Sequence, residues 1–293
     1  MFFLDILIGI YHITYEYNII TIPDILISVA SIYTAADIFL DVSYSVGKSL
    51  SLSEKYIGLF IVGFAAIVDE IAMSVMAAVE NLGTVSFGTI QGSNVITLLA
   101  FFILIPLYYR KGISRFGIDS YVILVTSIIL LLLSFYFIKV PFFLGFITLI
   151  IFIFYIFKKT TSGTHEEIVH TEDLYPSYYG IMALIIIGFA SYNMINSALI
   201  ISYVTGINTF VSSFLLLGFF GSLPEIMMMS IAMKDKRNDV SIGLITGSTV
   251  YKETVLFSII AFIGTMTFYN SFFSLIIMVI FSFILVLYTI IFK

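Results

Sequence analysis

Two glutamates and one lysine stand where charge is costly. Glu70 and Glu225 each lie about midway along an apolar stretch, and Lys252 lies in a third. A carboxylate held at such depth persists where it faces a cavity, an ion or a partner. The pattern around the glutamates occurs twice. The run GFAAIVDEIAMSVMAAVENLGTVSFGTIQGSNVIT (63–97) overlies GFFGSLPEIMMMSIAMKDKRNDVSIGLITGSTVYK (218–252) without a gap, at a constant offset of 155. Gly63 meets Gly218, Glu70 meets Glu225, Gly88 meets Gly243, and Gly92-Ser93 meets Gly247-Ser248. Chance similarity between apolar helices matches Ile, Leu and Phe, not a Glu and a Gly-Ser pair at fixed spacing. The reading is a duplicated membrane unit whose two copies build one central ion site. Two carboxylates brought together near the midplane suit a cation, hard or monovalent. Ser93 and Ser248 offer hydroxyl and backbone oxygens, and the glycines let helices approach closely or unwind.

The elements that must position these residues are membrane helices. The 293 residues are 60% hydrophobic and 11% charged, with mean hydropathy +1.13, more apolar surface than a water-soluble domain hides. The apolar runs are continuous and do not alternate, which excludes a β-barrel. A spanning helix needs about 20 apolar residues, leaving room for about nine or ten spans. Expected spans are 22–46, 56–79, 85–108, 118–138 and 142–157, then 178–202, 208–233, 240–267 and 271–292. Repeat 1 covers 21–158, a cytoplasmic linker 159–177, and repeat 2 178–293. Residues 1–20, apolar but carrying Asp5, His12 and Glu16, read as an extra or interfacial helix. Their start has no basic region or small-residue cleavage site, so no removable signal peptide is expected.

Lys48 and Lys55, then Arg110, Lys111 and Arg115, then Lys158 and Lys159, then Lys234, Lys236 and Arg237 all fall on one side, assigned to the cytoplasm. Five spans separate equivalent positions, an odd number, so the two copies have opposite topology. The expected fold is an all-α polytopic membrane protein of two inverted-topology repeats, each of about five transmembrane helices.

Gly221-Ser222-Leu223-Pro224-Glu225 resembles the Gly-Thr-Ser-Leu-Pro-Glu motif of the calcium/cation antiporter superfamily, best known from sodium/calcium exchangers. QGSNVIT at 91–97 resembles the family's Gly-Ser-Asn-Ile-x-Asn motif, and TGSTVYK at 246–252 is its counterpart. In both repeats the Glu-to-Ser distance is 23 residues, and Ala36-Asp37 lies 33 residues ahead of Glu70, as the family's first helix would place it. The resemblance implies a sodium/calcium exchanger-like fold, with Glu70 and Glu225 as central cation ligands. It makes Ser93, Ser222 and Ser248 secondary oxygen ligands, with Thr97 at the position of a motif Asn. Backbone carbonyls near Ala66 and Gly221 would complete the shell.

The departures matter as much. Ala66-Ile67 stands where repeat 1 would carry Thr-Ser, which removes a hydroxyl, and Asp69 replaces the motif proline. Lys252 occupies the place of an Asp or Asn. Two glutamates and one lysine leave the site at −1, a poor match for a divalent ion plus a full sodium set. Three readings of Lys252 stand open. It couples transport to protons, because cation binding would expel its proton. Its ammonium stands permanently for one bound cation. Or it locks the glutamates in a structural salt bridge and calcium transport is lost. Asp69 is a candidate to restore the lost acid, although adjacent helix positions point about 100° apart.

Other features have plainer readings. Asp37 and Asp41 share a helix face, lining an access path or packing against neighbours. His165, Glu166, Glu167, His170, Glu172 and Asp173 read as a solvated linker rather than a metal site, and Met227-Met228-Met229 as packing. There is no Cys and no phosphate-binding loop, which excludes thiol chemistry and disfavours ATP-driven transport. The expected function is secondary-active antiport of a small cation, calcium by resemblance, against sodium or protons. The alternative is a non-transporting exchanger-like membrane protein. Expected partners are small inorganic cations and the bilayer, with no nucleic acid and no cofactor.

Overall fold

The protein, seen in a computed structural model, is described over residues 21–49, 64, 67–108, 117–161, 176–234 and 238–291. Residues 1–20, Ala66 and the acidic stretch 162–175 lie outside the described residues. Among the described residues ten α-helices follow in order. Repeat 1 supplies α1 (Thr21–Ser49), α2 (Val68–Val79), α3 (Gly83–Tyr108), α4 (Gly117–Ser134) and α5 (Phe143–Thr161). Repeat 2 supplies α6 (Ser177–Thr205), α7 (Thr209–Lys234), α8 (Asn238–Tyr251), α9 (Phe257–Ile263) and α10 (Phe272–Ile291). A π-helical turn, Lys252–Leu256, joins α8 to α9 without a break.

Local sequence accounts for the punctuation. Asn81 ends α2 with a left-handed φ of 63°, a conformation Asn tolerates better than most residues, and the chain turns at once into α3. Pro176 precedes α6, and Gly206 closes it at φ 68°. Seven of these helices are long and apolar enough to cross a membrane among the described residues. The chain is an integral, multi-pass membrane protein built as two inverted repeats.

The fold is sorted inside out. Ile150, Phe154, Ile280, Phe283 and Leu287 face outward from α5 and α10, as lipid contact requires, whereas Ser, Thr, Asn, Gln and Glu side chains of α2, α3, α7 and α8 are buried. The first helices of the two repeats, α1 and α6, pack along each other. They meet α2 and α7 through Ile25, Ile32, Met73, Met194, Ile195 and Leu217. On the other side, Phe87 of α3 packs edge-on against Phe257 and Phe268, with centroids at 6.1 Å and 5.5 Å. Peripheral α4 lies on α10, and α5 on α9.

Three described helix ends differ from expectation by four residues. The fourth span stops at Ser134, because residues 138–140 form a bridge to 266–268: Val140 N donates to Met266 O at 3.0 Å and Phe268 N to Ile138 O at 2.8 Å. That same bridge and Gly264, at φ 80°, end the eighth span at Ile263 rather than 267. The fifth span runs on to Thr161, past the expected start of the linker at 159. Lys159 is nearly buried there, donating to Asp119 Oδ2 at 3.4 Å and to the Tyr155 hydroxyl at 3.0 Å.

Candidate cation site

α3 and α7 cross more closely than side chains permit. A Cβ on Gly218 would lie 2.5 Å from the Gly92 Cα, and one on Gly92 would strike the backbone of Phe214. This glycine-on-glycine crossing brings α2, α3, α7 and the π-turn within reach of one point. There Lys252 and Glu70 are fully buried and Glu225 is 3% exposed.

The Lys252 ammonium stands between the two carboxylates. Its Nζ donates to Glu225 Oε2 at 2.7 Å and to Ser93 Oγ at 2.9 Å, and lies 3.5 Å from Glu70 Oε1. Ser93 in turn donates to Glu70 Oε1 at 2.8 Å, so one hydroxyl relays the lysine to the more distant acid. Thr97 Oγ1 donates to Glu225 Oε2 at 2.9 Å. An ammonium carries three N–H donors, and three acceptors surround it here. Each glutamate keeps one buried oxygen, Oε2 of Glu70 and Oε1 of Glu225, with no hydrogen-bond partner. Two unpartnered carboxylate oxygens beside a lysine form a ligand set only partly used by that lysine.

A model of the sodium/calcium exchanger protein family matches residues 24–160 and 177–293, which is most of the chain. The chain belongs to the sodium/calcium exchanger protein family. Among solved structures, the sodium-calcium exchanger NCX_Mj matches with a TM-score of 0.59 at 20% identity, over 92% of this chain and 91% of that one. The H+/Ca2+ exchanger CAX matches with a TM-score of 0.67 at 13% identity, over 97% and 89%. At these identities the likeness is one of fold. An uncharacterised membrane protein of Methanocaldococcus jannaschii is 31% identical over 71 residues, 24% of each chain.

Within this exchanger-family chain, the sequence-predicted residues divide by what they touch. Glu70, Glu225, Ser93, Thr97 and Lys252 meet in one hydrogen-bonded chain, in which Thr97 and Lys252 both donate to Glu225, Lys252 donates to Ser93, and Ser93 donates to Glu70. Ser222 and Ser248 are buried nearby, but their hydroxyls donate to carbonyls of their own helices, Phe219 O at 2.8 Å and Ile245 O at 3.2 Å. Gly221 lets α7 lie on the Glu70 side chain: a Cβ there would sit 3.4 Å from Glu70 Cγ and 3.1 Å from Met73 Cε. Pro224, inside α7, has no amide to offer the Phe220 carbonyl one turn back.

Asp69 is buried with Oδ2 unpartnered, yet no group of three His, Asp or Glu side chains is gathered among the described residues. Asp37 is exposed on α1. Sequence reasoning missed Glu253, which is buried beside Lys252 but turned toward α4. Its carboxylate accepts from Thr126 Oγ1 and from Ser127 Oγ at 3.0 Å. The signal was an acid within an otherwise apolar run, TVLFSII, directly after the lysine.

Proposed function

We propose that this protein is a secondary-active cation antiporter working by alternating access, in which the Lys252 ammonium and the transported cation compete for Glu70 and Glu225. The observation that carries the reading is the ammonium seated between the two acids, 2.7 Å from one and 3.5 Å from the other. Family membership supports exchange of small cations, with calcium as the transported ion. A divalent ion balances two glutamates only when Lys252 is neutral. Calcium binding then requires the lysine to release a proton to water and withdraw, freeing Ser93 and both carboxylates as oxygen ligands. Reprotonation restores the lysine to the acids as calcium leaves on the other side. The counter-ion in this scheme is the proton.

The moving part is the α1/α6 pair, which rests on the site helices largely through apolar side chains. A groove of about 270 Å³ runs between α1 and α7, bordered by Tyr33, Thr34, Phe220 and Met227 and floored by Met73 and Gly221, which lies against Glu70. Sliding of α1 and α6 across this floor would uncover the acids from one side at a time. A second reading is a permanent lock with no transport, favoured by the full burial of the ammonium between the two acids and its hydrogen bonds to Glu225 and Ser93.

Calcium uptake into proteoliposomes under imposed proton or sodium gradients, with wild type and Lys252→Asp side by side, decides between them. Proton-driven uptake by wild type is the expected result. Uptake in Lys252→Asp alone would establish the lock. Sodium-driven uptake indifferent to a proton gradient would overturn the competition mechanism.

A further inference from the structure

Lys252 opens a π-helical turn, and π-turns within α-helices are rare and concentrated at functional sites. The widened turn sends two consecutive side chains to opposite sides. Lys252 reaches toward α2, α3 and α7, while Glu253 reaches α4. There two adjacent hydroxyls, Thr126 and Ser127, hold its carboxylate: Thr126 donates to Oε2, and Ser127 lies 3.0 Å from Oε1 and 3.3 Å from Oε2. All of these groups are buried, and among the described residues no ion pair reaches Glu253 within 4 Å. A carboxylate in this interior, with Lys252 as a neighbouring charge but no cation in contact, is a costly feature, so it asks for a role.

We infer that Glu253, clamped by Thr126 and Ser127, is the positioning residue for Lys252: it braces the π-turn against α4 and so holds the ammonium between Glu70 and Glu225. A π-turn is an α-helix with an extra residue in one turn, which relaxes by moving along the helix and rotating the side chains it passes. The brace on α4 opposes that movement at the residue next to the lysine. The inference rests on the proposed competition between lysine and cation for its effect on transport, but the geometric part stands apart from it.

The test is a double-mutant cycle on purified full-length protein, with thermal unfolding as the first readout. Thr126→Val combined with Ser127→Ala removes both donors to Glu253 and touches neither Lys252 nor the central acids. In wild type the pair should lower Tm. In a Lys252→Met background the same pair should lower it by no more than about half as much, because there is no bridge left to loosen. Equal drops in the two backgrounds would overturn the inference. Thr126→Ser, which keeps the hydroxyl, should match wild type. Should the double variant not fold, Ser127→Ala alone carries the cycle.

Calcium uptake supplies the second readout. The clamp variant should reach half-saturation at roughly ten-fold lower calcium, about one charge-assisted hydrogen bond's worth of weakened competition, with its maximal rate kept. A lower maximal rate at unchanged half-saturation would overturn it. If wild type takes up no calcium, the antiport reading falls and the stability cycle alone decides the positioning role.

Discussion

Lys252→Met keeps the length and apolar stem of the side chain and deletes its charge, so it isolates what the ammonium does. The ammonium lies 2.7 Å from Glu225 Oε2 and 3.5 Å from Glu70 Oε1. Those two oxygens are therefore no farther apart than about 6 Å. At an effective dielectric constant of about 20, two negative charges at that distance repel by about 3 kcal/mol. Removing one partner of a buried pair typically costs about 3–5 kcal/mol, in agreement with that repulsion. For a chain of this size each kcal/mol lowers Tm by roughly 2 °C, so Lys252→Met should melt roughly 6–10 °C below wild type. Calcium should then bind the bare acids and restore stability, by about 2.7 kcal/mol at a hundred-fold excess over Kd. Thermal unfolding of detergent-purified protein with and without calcium measures both effects. A Lys252→Met protein as stable as wild type and indifferent to calcium would refute the argument that the lysine fills a cation site.

Two further outcomes follow from the geometry. Gly92→Ala drives a methyl into the Phe214 backbone at the α3–α7 crossing, where backbone atoms have no rotamer to yield; it should cost at least about 2 kcal/mol and show as lowered Tm and poor recovery of monodisperse protein. Glu225→Gln should destabilise more than Glu70→Gln, by about 1–2 kcal/mol, because Glu225 accepts directly from both Lys252 and Thr97 whereas Glu70 meets the lysine at 3.5 Å and through Ser93. Equal Tm losses for the two would contradict that ranking.

The repeat was legible because it is written in residues that apolar packing does not select. Glu70 with Ser93 and Glu225 with Ser248 stand at one spacing, and the offset that aligns them also aligns Thr97 with Lys252. Spacing does not say where a hydroxyl points. Ser222 and Ser248 occupy the expected positions, but each serves the carbonyl three residues back on its own helix, a choice made by rotamer and not by sequence position. Hydropathy likewise overran two helix ends. The bridge between 138–140 and 266–268 lies within apolar sequence and is a tertiary contact that no local pattern announces. The π-turn escaped for the same reason: one extra residue in a turn leaves composition unchanged, and its signature is that Lys252 and Glu253 are both buried on different sides.

The two repeats put equivalent positions to unequal use, and that inequality bears on mechanism. Thr97 and Lys252 are the same position in the two copies, and both reach the same oxygen, Oε2 of Glu225. Glu70 receives no counterpart of that double contact; it is held by Ser93, while Ser248, the mate of Ser93, lies beside Glu225 and donates to the Ile245 carbonyl. A strictly symmetric site would present the same ligands to both sides of the membrane as the α1/α6 pair moved. Here the charge on the π-turn breaks the equivalence and ties the ammonium more tightly to the repeat-2 acid than to the repeat-1 acid. In the proposed mechanism Glu70, with its second oxygen unpartnered and Gly221 lying against its stem, is the carboxylate an arriving cation would engage with less displacement of existing contacts. Under the proposed competition, Glu225 is the one it would take from the lysine. In the proposed exchange the energetic step would therefore lie at the Lys252–Glu225 contact, which would place control over the cation in the repeat that carries the π-turn.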